Sequence, residues 1–206
     1  MYIDVIPLFS SPLATSKLEV DAHKILEKLK TLEFKLTDYV NQDVGTAGKI
    51  YISSSLSILD YFPELKTEIM SKLDSYIKNV LMYKDVKVKL TTSWGTKTSP
   101  GGYGQEHMHT NSWFSGVWYP QDSSSITFVR RDRELICPGK PEEWNLFNSP
   151  EWEMTPVTNS LFIFKSTLNH RINRNTSNSD RYSIAFNVLP QGKIGTGDST
   201  VYISTK

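Results

Sequence analysis

Three of the four histidines in the sequence are placed where they could share one metal ion. His107 and His109 form an H-x-H pair, and His170 lies in a distant part of the chain. Side chains two positions apart on an extended segment point to the same face, so a third histidine from another strand could complete the site. Imidazole nitrogen suits iron, zinc, copper and nickel. Taken alone, an H-x-H pair is weak evidence, since such pairs arise by chance and His170 could be an ordinary loop residue.

The segment 181–187 adds a cation to this pattern. Alternation along a strand places Arg181, Ser183, Ala185 and Asn187 on one face. A buried guanidinium is costly unless an anion meets it, and its planar fork matches a carboxylate in bidentate geometry. A salt bridge at a strand end is the commoner explanation of such an arginine. Together with the histidines, the pattern indicates a metal-binding face and, deeper in the same barrel, a receptor for a dicarboxylate.

The elements that would position these residues are short strands, which begin at about residue 85. Apolar residues and lysines alternate with a period of two over 86–90. The predicted strands are 86–94, 113–119, 125–130, 160–164, 181–189 and 200–204. Several short strands separated by turns favour a β-sandwich or barrel.

A long polar segment at about 131–157 interrupts the strands and contains Trp144 and Trp152. Loops of this length in compact domains are typically binding elements, lids or disordered segments. The two tryptophans either form an aromatic wall over a substrate or anchor the loop to the barrel. The charges at 130–134 could dock an acidic substrate, but their mixed signs favour a solvated edge.

The first third of the chain is predicted to be helical and to support the barrel. One helix would be capped by Ser16 and run through Leu29, and a second would run from Pro63 to about Met82. Residues 45–48 indicate a loop or hairpin. We therefore expect one domain over 1–206, with mainly helical support in 1–84 and the β core in 85–206.

Composition excludes several classes of protein. With 38% hydrophobic and 22% charged residues in 206, the chain is neither disordered, nor collagen-like, nor a membrane bundle. A net charge of +1 gives no bulk electrostatic case for nucleic acid or an anionic membrane. Cys137 is the single cysteine, so no disulfide forms within the chain, and no nearby residues activate it. No signal peptide or membrane-length apolar stretch is visible. We expect a soluble intracellular protein located in the cytoplasm.

Several spaced motifs resemble the iron- and 2-oxoglutarate-dependent oxygenase superfamily, and in particular a family of such oxygenases from marine phages and bacteria. In order, that family reads as a tryptophan, H-x-H, a serine, S-G-V-aromatic-Tyr, F-x-S-x-L-x-H-R, and R-Y-S-I-x-F-N. The matching residues here are 93–95, 106–119, 161–171, 175 and 181–187. Residues 6–13 also resemble the opening of that family. The resemblance is specific because the motifs agree in order over most of the chain.

The resemblance implies an α+β fold, a double-stranded β-helix (a jelly-roll, cupin-like core) with N-terminal helices packed on its major sheet. It implies that His107, His109 and His170 ligate Fe(II). It further implies that Arg181 grips the distal carboxylate of the cosubstrate 2-oxoglutarate, with Ser183 beside it. Tyr119 matches an inward aromatic residue that contacts the same carboxylate.

One position departs from the superfamily, because His109 stands where a facial triad usually has Asp or Glu. Two other ligand sets remain open. Glu106 could supply a carboxylate, although a neighbour of His107 on an extended segment should point away. His109 with Asn111 forms an H-x-N pattern, but a neutral amide is a poor ligand. The spacing favours the three histidines.

The implied reaction is hydroxylation of a C–H bond by O2 through an iron(IV)-oxo species, with release of succinate and CO2. The cofactor and metal carry that chemistry, while the fold positions the substrate and excludes water. Asn169 or Asn187 could fix the imidazole tautomers, but an ordinary polar residue of the loop or strand is the commoner explanation of each. Two rival hypotheses are a three-histidine cupin-like enzyme without 2-oxoglutarate and a non-enzymatic phage jelly-roll module. The substrate is open, peptidyl or small-molecule, and so is the oligomeric state.

Overall fold

The structure is a computed structural model that describes residues 3–8, 10–37, 49–131, 136 and 139–204. Its larger sheet is antiparallel and has eight strands. In spatial order these are β1 (Ala14–Lys17), β8 (Ser160–Lys165), β5 (Phe114–Trp118), β10 (Arg181–Ile194), β4 (Lys87–Thr98), β3 (Ile50–Ser53) and β2 (Phe34–Leu36), with β11 (Val201–Ile203) paired to β10. The strand that carries Arg181 therefore lies in the middle of this sheet.

The smaller sheet faces the larger one and is also antiparallel. Its strands, in spatial order, are β7 (Glu151–Met154), β6 (Ile126–Val129) and β9 (Asn169–Ile172). The segment 101–107 runs beside β9 as a further strand-like element, since Gly104 N donates to Ile172 O at 2.9 Å. This segment carries the first histidine of the H-x-H pair to the edge of β9.

Two apolar layers hold the fold together. The layer between the sheets contains Val117, Tyr119, Ile126, Phe128, Phe162 and Phe164. The outer face of the larger sheet is covered by helices α1 (Ala22–Lys30) and α2 (Pro63–Ser75), and α2 continues into a π-helical turn at Tyr76–Val80. Leu29 and Leu65 of the helices share one buried cluster with Trp118 and Ile184 of the sheet. The predicted double-stranded β-helix with helices on its major sheet is confirmed, although the two sheets do not close into one.

The helix predicted from Ser16 is wrong at its start. Ser16 lies in β1, where it pairs with Leu161 at the edge of the larger sheet. Helix α1 begins only at Ala22, and the Asp21 carboxylate caps it by accepting from Lys24 N at 2.9 Å. The apolar spacing of the segment fits a helix, but sheet pairing decides the conformation before Asp21. The second helix begins at Pro63 as predicted.

All six predicted strands occur, and β4 and β10 are longer than expected. The strands that the sequence did not predict are β1, β2, β3, β7 and β9, each three or four residues long. One of them, β7, lies inside the predicted loop 131–157, and another, β9, carries His170 itself. Runs this short contain too few alternations to be recognised without their partners.

Some predictions fall outside the described residues. These are the loop at 45–48, Cys137, and parts of 130–134 and 131–157. The single domain with a helical part over 1–84 and a core over 85–206 stays a prediction. Within the described ranges, none of the helices combines the length and the apolar character needed to cross a membrane.

Candidate metal and cosubstrate site

Backbone pairing brings the three histidines together. His107 and His170 form an isolated antiparallel bridge, in which each N–H donates to the other's carbonyl at 2.9 Å. Directly bridged residues present their side chains on the same face. His109 is held by its own N–H, which donates to Ser166 O at 2.9 Å. Two short elements and the end of β8 thus fix three side chains that are distant in sequence.

The three imidazoles converge on one point. Their candidate ligand atoms all lie within 4.8 Å of one another. The ring centroids of His107 and His170 are 4.4 Å apart, and those of His109 lie 5.2 Å from each of the other two. His170 is buried, His109 half-buried and His107 exposed, so the cluster opens to solvent on one side. Glu106, the alternative ligand, instead accepts from Asn169 Nδ2 at 2.8 Å.

Backbone carbonyls, not asparagines, hold two of the rings. His107 Nδ1 lies 2.8 Å from Gln105 O, and His170 Nδ1 lies 2.9 Å from Leu168 O. A carbonyl can only accept, so each Nδ1 carries a proton, and in the neutral form of the ring Nε2 then presents its lone pair. The suggestion that Asn169 or Asn187 fixes the tautomers is wrong, because Asn169 bonds Glu106 and Arg131, and Asn187 bonds Ser115 and Thr92.

Burial keeps two of the rings neutral. Desolvation, aided by the charge of His107, lowers the pKa of His170 to about 3 and that of His109 to about 4. Phe164 lies against the His170 ring, with centroids 4.8 Å apart, and Trp94 lies 5.5 Å from His109. A metal ion requires neutral imidazole, so these two ligands need no deprotonation at neutral pH.

We expect the metal-free protein to lose stability as the pH falls from 7 to 5. The folded-state pKa values of His109 and His170 lie below the value of about 6.5 expected in the unfolded chain, so the unfolded chain binds protons that the folded one does not. The contribution of these two histidines to the free energy of unfolding is complete above about pH 6.5. It is lost as the pH falls toward their folded-state pKa values. The free energy of unfolding should fall by about 2 kcal/mol per group over this interval, measured by urea denaturation.

A matched pair of variants isolates the histidines from the acidic side chains that also titrate in this range. His170→Gln should flatten the slope between pH 7 and 5, whereas His23→Gln, at an exposed position of α1, should leave it as in the wild type. Equal slopes in all three proteins would contradict the assignment of a neutral, buried His170.

Arg181 lies on the inner face of β10, at its first residue. It is 3% exposed, and its Nη1 donates to Ser124 O at 3.3 Å. Its Nε has no hydrogen-bond partner among the described residues. The described ion pairs do not include this guanidinium, so the salt bridge considered for it is not found there. Burial lowers the pKa of Arg181, which records the cost of keeping this cation out of water.

The distance from Arg181 to the histidines follows from strand register. Trp94, against His109, pairs with Ala185, and Arg181 lies four residues earlier on β10, about 13 Å along the strand. An arginine side chain and a short diacid together cover such a length. The structure thus has a cluster of three histidines and, further along β10, a buried cation; their roles as metal ligands and carboxylate receptor stay predictions.

Ser183 and Tyr119 lie close to this cation in the fold. Ser183 is 3% exposed and follows Arg181 on the same face of β10. Tyr119 is 1% exposed, and burial raises its pKa to about 12, an effect that the nearby Arg181 charge reduces. The phenol therefore stays protonated and can donate to an acceptor at neutral pH.

A polar pocket of about 610 Å³ opens next to Arg181, and none of the three histidines lines it. Its walls come from the loops 121–125 and 173–177 together with Glu153 and Thr155. Residues with hydroxyl or amide side chains make up most of this lining, and Arg181 is part of it.

Sequence patterns did not reveal the part played by Ser166. Its carbonyl accepts from His109 N, its N–H donates to Trp113 O at 3.1 Å, and its hydroxyl donates to Ser112 Oγ at 2.9 Å. It thus ties both ends of the 109–113 segment to β8. Ser115 continues the network with a 2.8 Å contact to the Ser166 hydroxyl. The only signal in the sequence was a serine in the F-x-S-x-L-x-H-R motif, which gives no hint of its contacts.

The tryptophans of the long segment are not packed into the barrel. Trp144 is 48% exposed and Trp152 is 42% exposed. Trp152 pairs with Phe128, which in turn pairs with His170, so it lies in line with the histidines on the smaller sheet. Trp118, by contrast, is fully buried on the helix-covered face, whereas its neighbour Tyr119 lies in the layer between the sheets.

Comparison with known families agrees with this geometry. Residues 92–187 match a protein-family model described as "Putative 2OG-Fe(II) oxygenase". The matched segment runs from β4 to β10 and includes the three histidines and Arg181. A search of curated proteins found no match. The resemblance predicted from the spaced motifs is confirmed over this segment.

Solved structures with the same fold come from several organisms. A prolyl-4-hydroxylase from Pseudomonas putida aligns with a TM-score of 0.53 and 14% identity, over 87% of this chain and 94% of that one. HygX from Streptomyces hygroscopicus, with nickel, 2-oxoglutarate and hygromycin B bound, aligns with a TM-score of 0.57 and 12% identity. That alignment covers 87% of this chain and 83% of HygX. A Trichoplax adhaerens prolyl hydroxylase in complex with a hypoxia-inducible-factor peptide aligns with a TM-score of 0.51 and 12% identity. That alignment covers 88% of this chain and 85% of the hydroxylase. At these identities the likeness establishes the fold.

Proposed function

We propose a reaction for this chain on the premise that it is a 2OG-Fe(II) oxygenase, the enzyme class that residues 92–187 and the fold indicate. The cofactors of this class are Fe(II), 2-oxoglutarate and O2. The proposed reaction is hydroxylation of a C–H bond of a peptidyl or small-molecule substrate. The observation that carries the proposal is that three imidazoles converge in the same barrel as a buried guanidinium whose Nε has no hydrogen-bond partner among the described residues.

The donor set fits iron. His107 and His170 present Nε2 lone pairs, and His109 completes a facial arrangement of three nitrogens. When bound, the metal and 2-oxoglutarate supply the oxidising chemistry, in which one oxygen atom of O2 enters the substrate and the keto acid leaves as succinate and CO2. The protein's part is to hold these groups and keep bulk water from the buried side of His170.

Arg181 fits the far carboxylate of 2-oxoglutarate. A guanidinium with a free Nε–H and a weak 3.3 Å bond to Ser124 O retains donors for a bidentate contact. Ser183 and the protonated Tyr119 would line the same end of the site. Because the carboxylate neutralises a buried cation, its binding relieves a cost that the fold otherwise carries.

Three neutral ligands change the charge of the metal centre. A facial triad with one carboxylate neutralises one of the two charges of iron(II), but three imidazoles neutralise neither. The anionic cosubstrate then supplies all the negative charge close to the ion. Metal retention in this chain should consequently depend more strongly on the cosubstrate than in enzymes with a carboxylate ligand.

The three-histidine donor set also suits a second function, that of a cupin-like metal enzyme without 2-oxoglutarate. That function gives Arg181 no anionic partner. Succinate formation from 2-oxoglutarate by the iron-loaded protein distinguishes the two functions, since the cupin-like enzyme would produce none.

Anaerobic reconstitution tests the proposal directly. Adding both iron(II) and 2-oxoglutarate should produce a weak visible charge-transfer band, because the keto acid chelates the ion held by the histidines. Neither component alone should produce it. The control is the His107→Ala protein with iron(II) and 2-oxoglutarate both added, which should show no band. No band from the wild-type chain with both components present would reject the proposal.

A further inference from the structure

A second buried donor without a partner lies directly beside Arg181. Thr98, the last residue of β4, is completely buried, and its Oγ1 has no hydrogen-bond partner among the described residues. Arg181 and Thr98 are register partners in the β10–β4 ladder. Residues directly opposite each other project to the same face with Cβ atoms about 5 Å apart. The side chains of Arg181 and Thr98, each with one donor that has no partner among the described residues, therefore begin side by side on the inner face of the sheet.

The orientation of Thr98 is fixed by its surroundings. Its carbonyl accepts from Asn175 Nδ2 at 2.9 Å, which anchors the backbone. Its Cγ2 lies only 2.8 Å from the position that a Cβ on Gly102 would occupy, so the methyl group is packed against the 101–107 segment. With the methyl group packed there, the side-chain rotamer is restricted, so Oγ1 cannot move to another position to reach an acceptor.

Unpaired buried donors are unfavourable, and a cluster of them indicates an acceptor. Leaving one hydroxyl unsatisfied costs about 1–3 kcal/mol, and a buried cation without a partner costs more. A carboxylate has two oxygens and several lone pairs, so a single group can satisfy both donors at once. Apolar residues at these positions would avoid the cost, which argues that the two donors serve a ligand.

We propose that Thr98 is a binding residue for the far carboxylate of the keto-acid cosubstrate, sharing it with Arg181. The proposal rests on the proposed function. It adds a donor from β4 to Arg181 and Ser183 of β10 and to Tyr119, which follows β5. Thr98 lies directly opposite Arg181, whereas Ser183 is two residues further along the strand. Donors from two neighbouring strands, β10 and β4, would then bind the same carboxylate.

The test uses the isosteric change Thr98→Val, with Thr98→Ser to restore the hydroxyl. Anaerobic titration of the iron-loaded protein gives Kd for 2-oxoglutarate from the charge-transfer band. Losing a hydrogen bond to a charged group should raise this Kd by about tenfold or more in Thr98→Val, and Thr98→Ser should recover most of it. Kd for 2-oxopentanoate, which has the same chain length without the far carboxylate, should not change.

Stability supplies a readout independent of the cofactor. Removing a buried hydroxyl without a partner is neutral or stabilising, so metal-free Thr98→Val should unfold at the same urea concentration as the wild type or higher. The matched control is Thr127→Val in β6, whose buried hydroxyl contacts Asn173 Oδ1 at 3.1 Å and Nδ2 at 2.8 Å. That variant should be destabilised and should bind 2-oxoglutarate normally.

The possible results separate this inference from the proposed function. A wild-type chain without a charge-transfer band would overturn both. A normal wild-type band with an unchanged Kd in Thr98→Val would overturn the role of Thr98 alone. Equal weakening of 2-oxoglutarate and 2-oxopentanoate would also overturn it, because the far carboxylate would then not be the group that Thr98 contacts.

Discussion

Replacing Arg181 with alanine should abolish turnover of 2-oxoglutarate at ordinary concentrations while iron binding stays largely intact. The reason is that Arg181 is the buried cation of the site, and its guanidinium would make two charge-assisted hydrogen bonds to the far carboxylate. Losing two bonds of this kind corresponds to a rise of about 10² to 10⁴ in KM for 2-oxoglutarate. Succinate release measures turnover, and equilibrium dialysis measures iron.

The matched control is Arg174→Ala. Arg174 lines the same polar pocket, but it is exposed, lies over the Tyr103 ring at 5.1 Å and donates to Gly101 O. Its loss should change KM little. Arg181→Met serves as a second variant, because it keeps a long apolar stem without the charge. The ligand-free Arg181→Met protein should be as stable as the wild type or more so. Unchanged 2-oxoglutarate turnover in Arg181→Ala would show that the cation has another purpose.

Strand alternation predicted this part of the site because β10 is long. A strand of fourteen residues holds its register over many positions, so the assignment of Arg181 and Ser183 to one inner face did not depend on its partners. The same alternation places Trp118, the last residue of β5, and Tyr119, which follows it, in different apolar layers. Long elements carry enough repeats to define a face from sequence alone.

Short elements carry too little local information. β9 has four residues, and only its pairing with β6 and with the 101–107 segment makes it a strand. The local pattern around Ser16 likewise predicts a helix, because its strand-pairing partner Leu161 lies far along the chain. The sequence could place three histidines in a barrel, but the bridge between His107 and His170 depends on contacts that no local pattern encodes.

Hydrogen-bond satisfaction was even less accessible to sequence. The hydrogen bond from His109 N to Ser166 O depends on the folded interior. So does the lack of a partner for the Thr98 hydroxyl among the described residues. A serine or threonine in a strand is consistent with a partnered, solvated or unpaired hydroxyl. Only the surrounding atoms decide which of the three applies.

Replacing His170 with alanine should remove both iron binding and turnover. His170 is the most buried of the three imidazoles, its Nδ1 is fixed by Leu168 O, and burial keeps the ring neutral. A site left with two imidazoles loses one of its three strong donors, so the affinity for iron(II) should fall by at least the 10- to 100-fold typical of losing even an outer-shell partner. Anaerobic titration with iron(II) and 2-oxoglutarate, followed at the charge-transfer band, measures the loss.

Two further variants show whether His109 stands in the place of a carboxylate. His23→Ala, on the exposed side of α1, should bind iron like the wild type and controls for general loss of a histidine. His109→Asp should retain iron binding, because a carboxylate at this position restores two histidines and one carboxylate and neutralises part of the metal charge. It should also hold iron more firmly without 2-oxoglutarate, since the ion then depends less on the anionic cosubstrate. Full iron affinity in His170→Ala, or complete loss in His109→Asp with the fold intact, would contradict a site built from these three side chains.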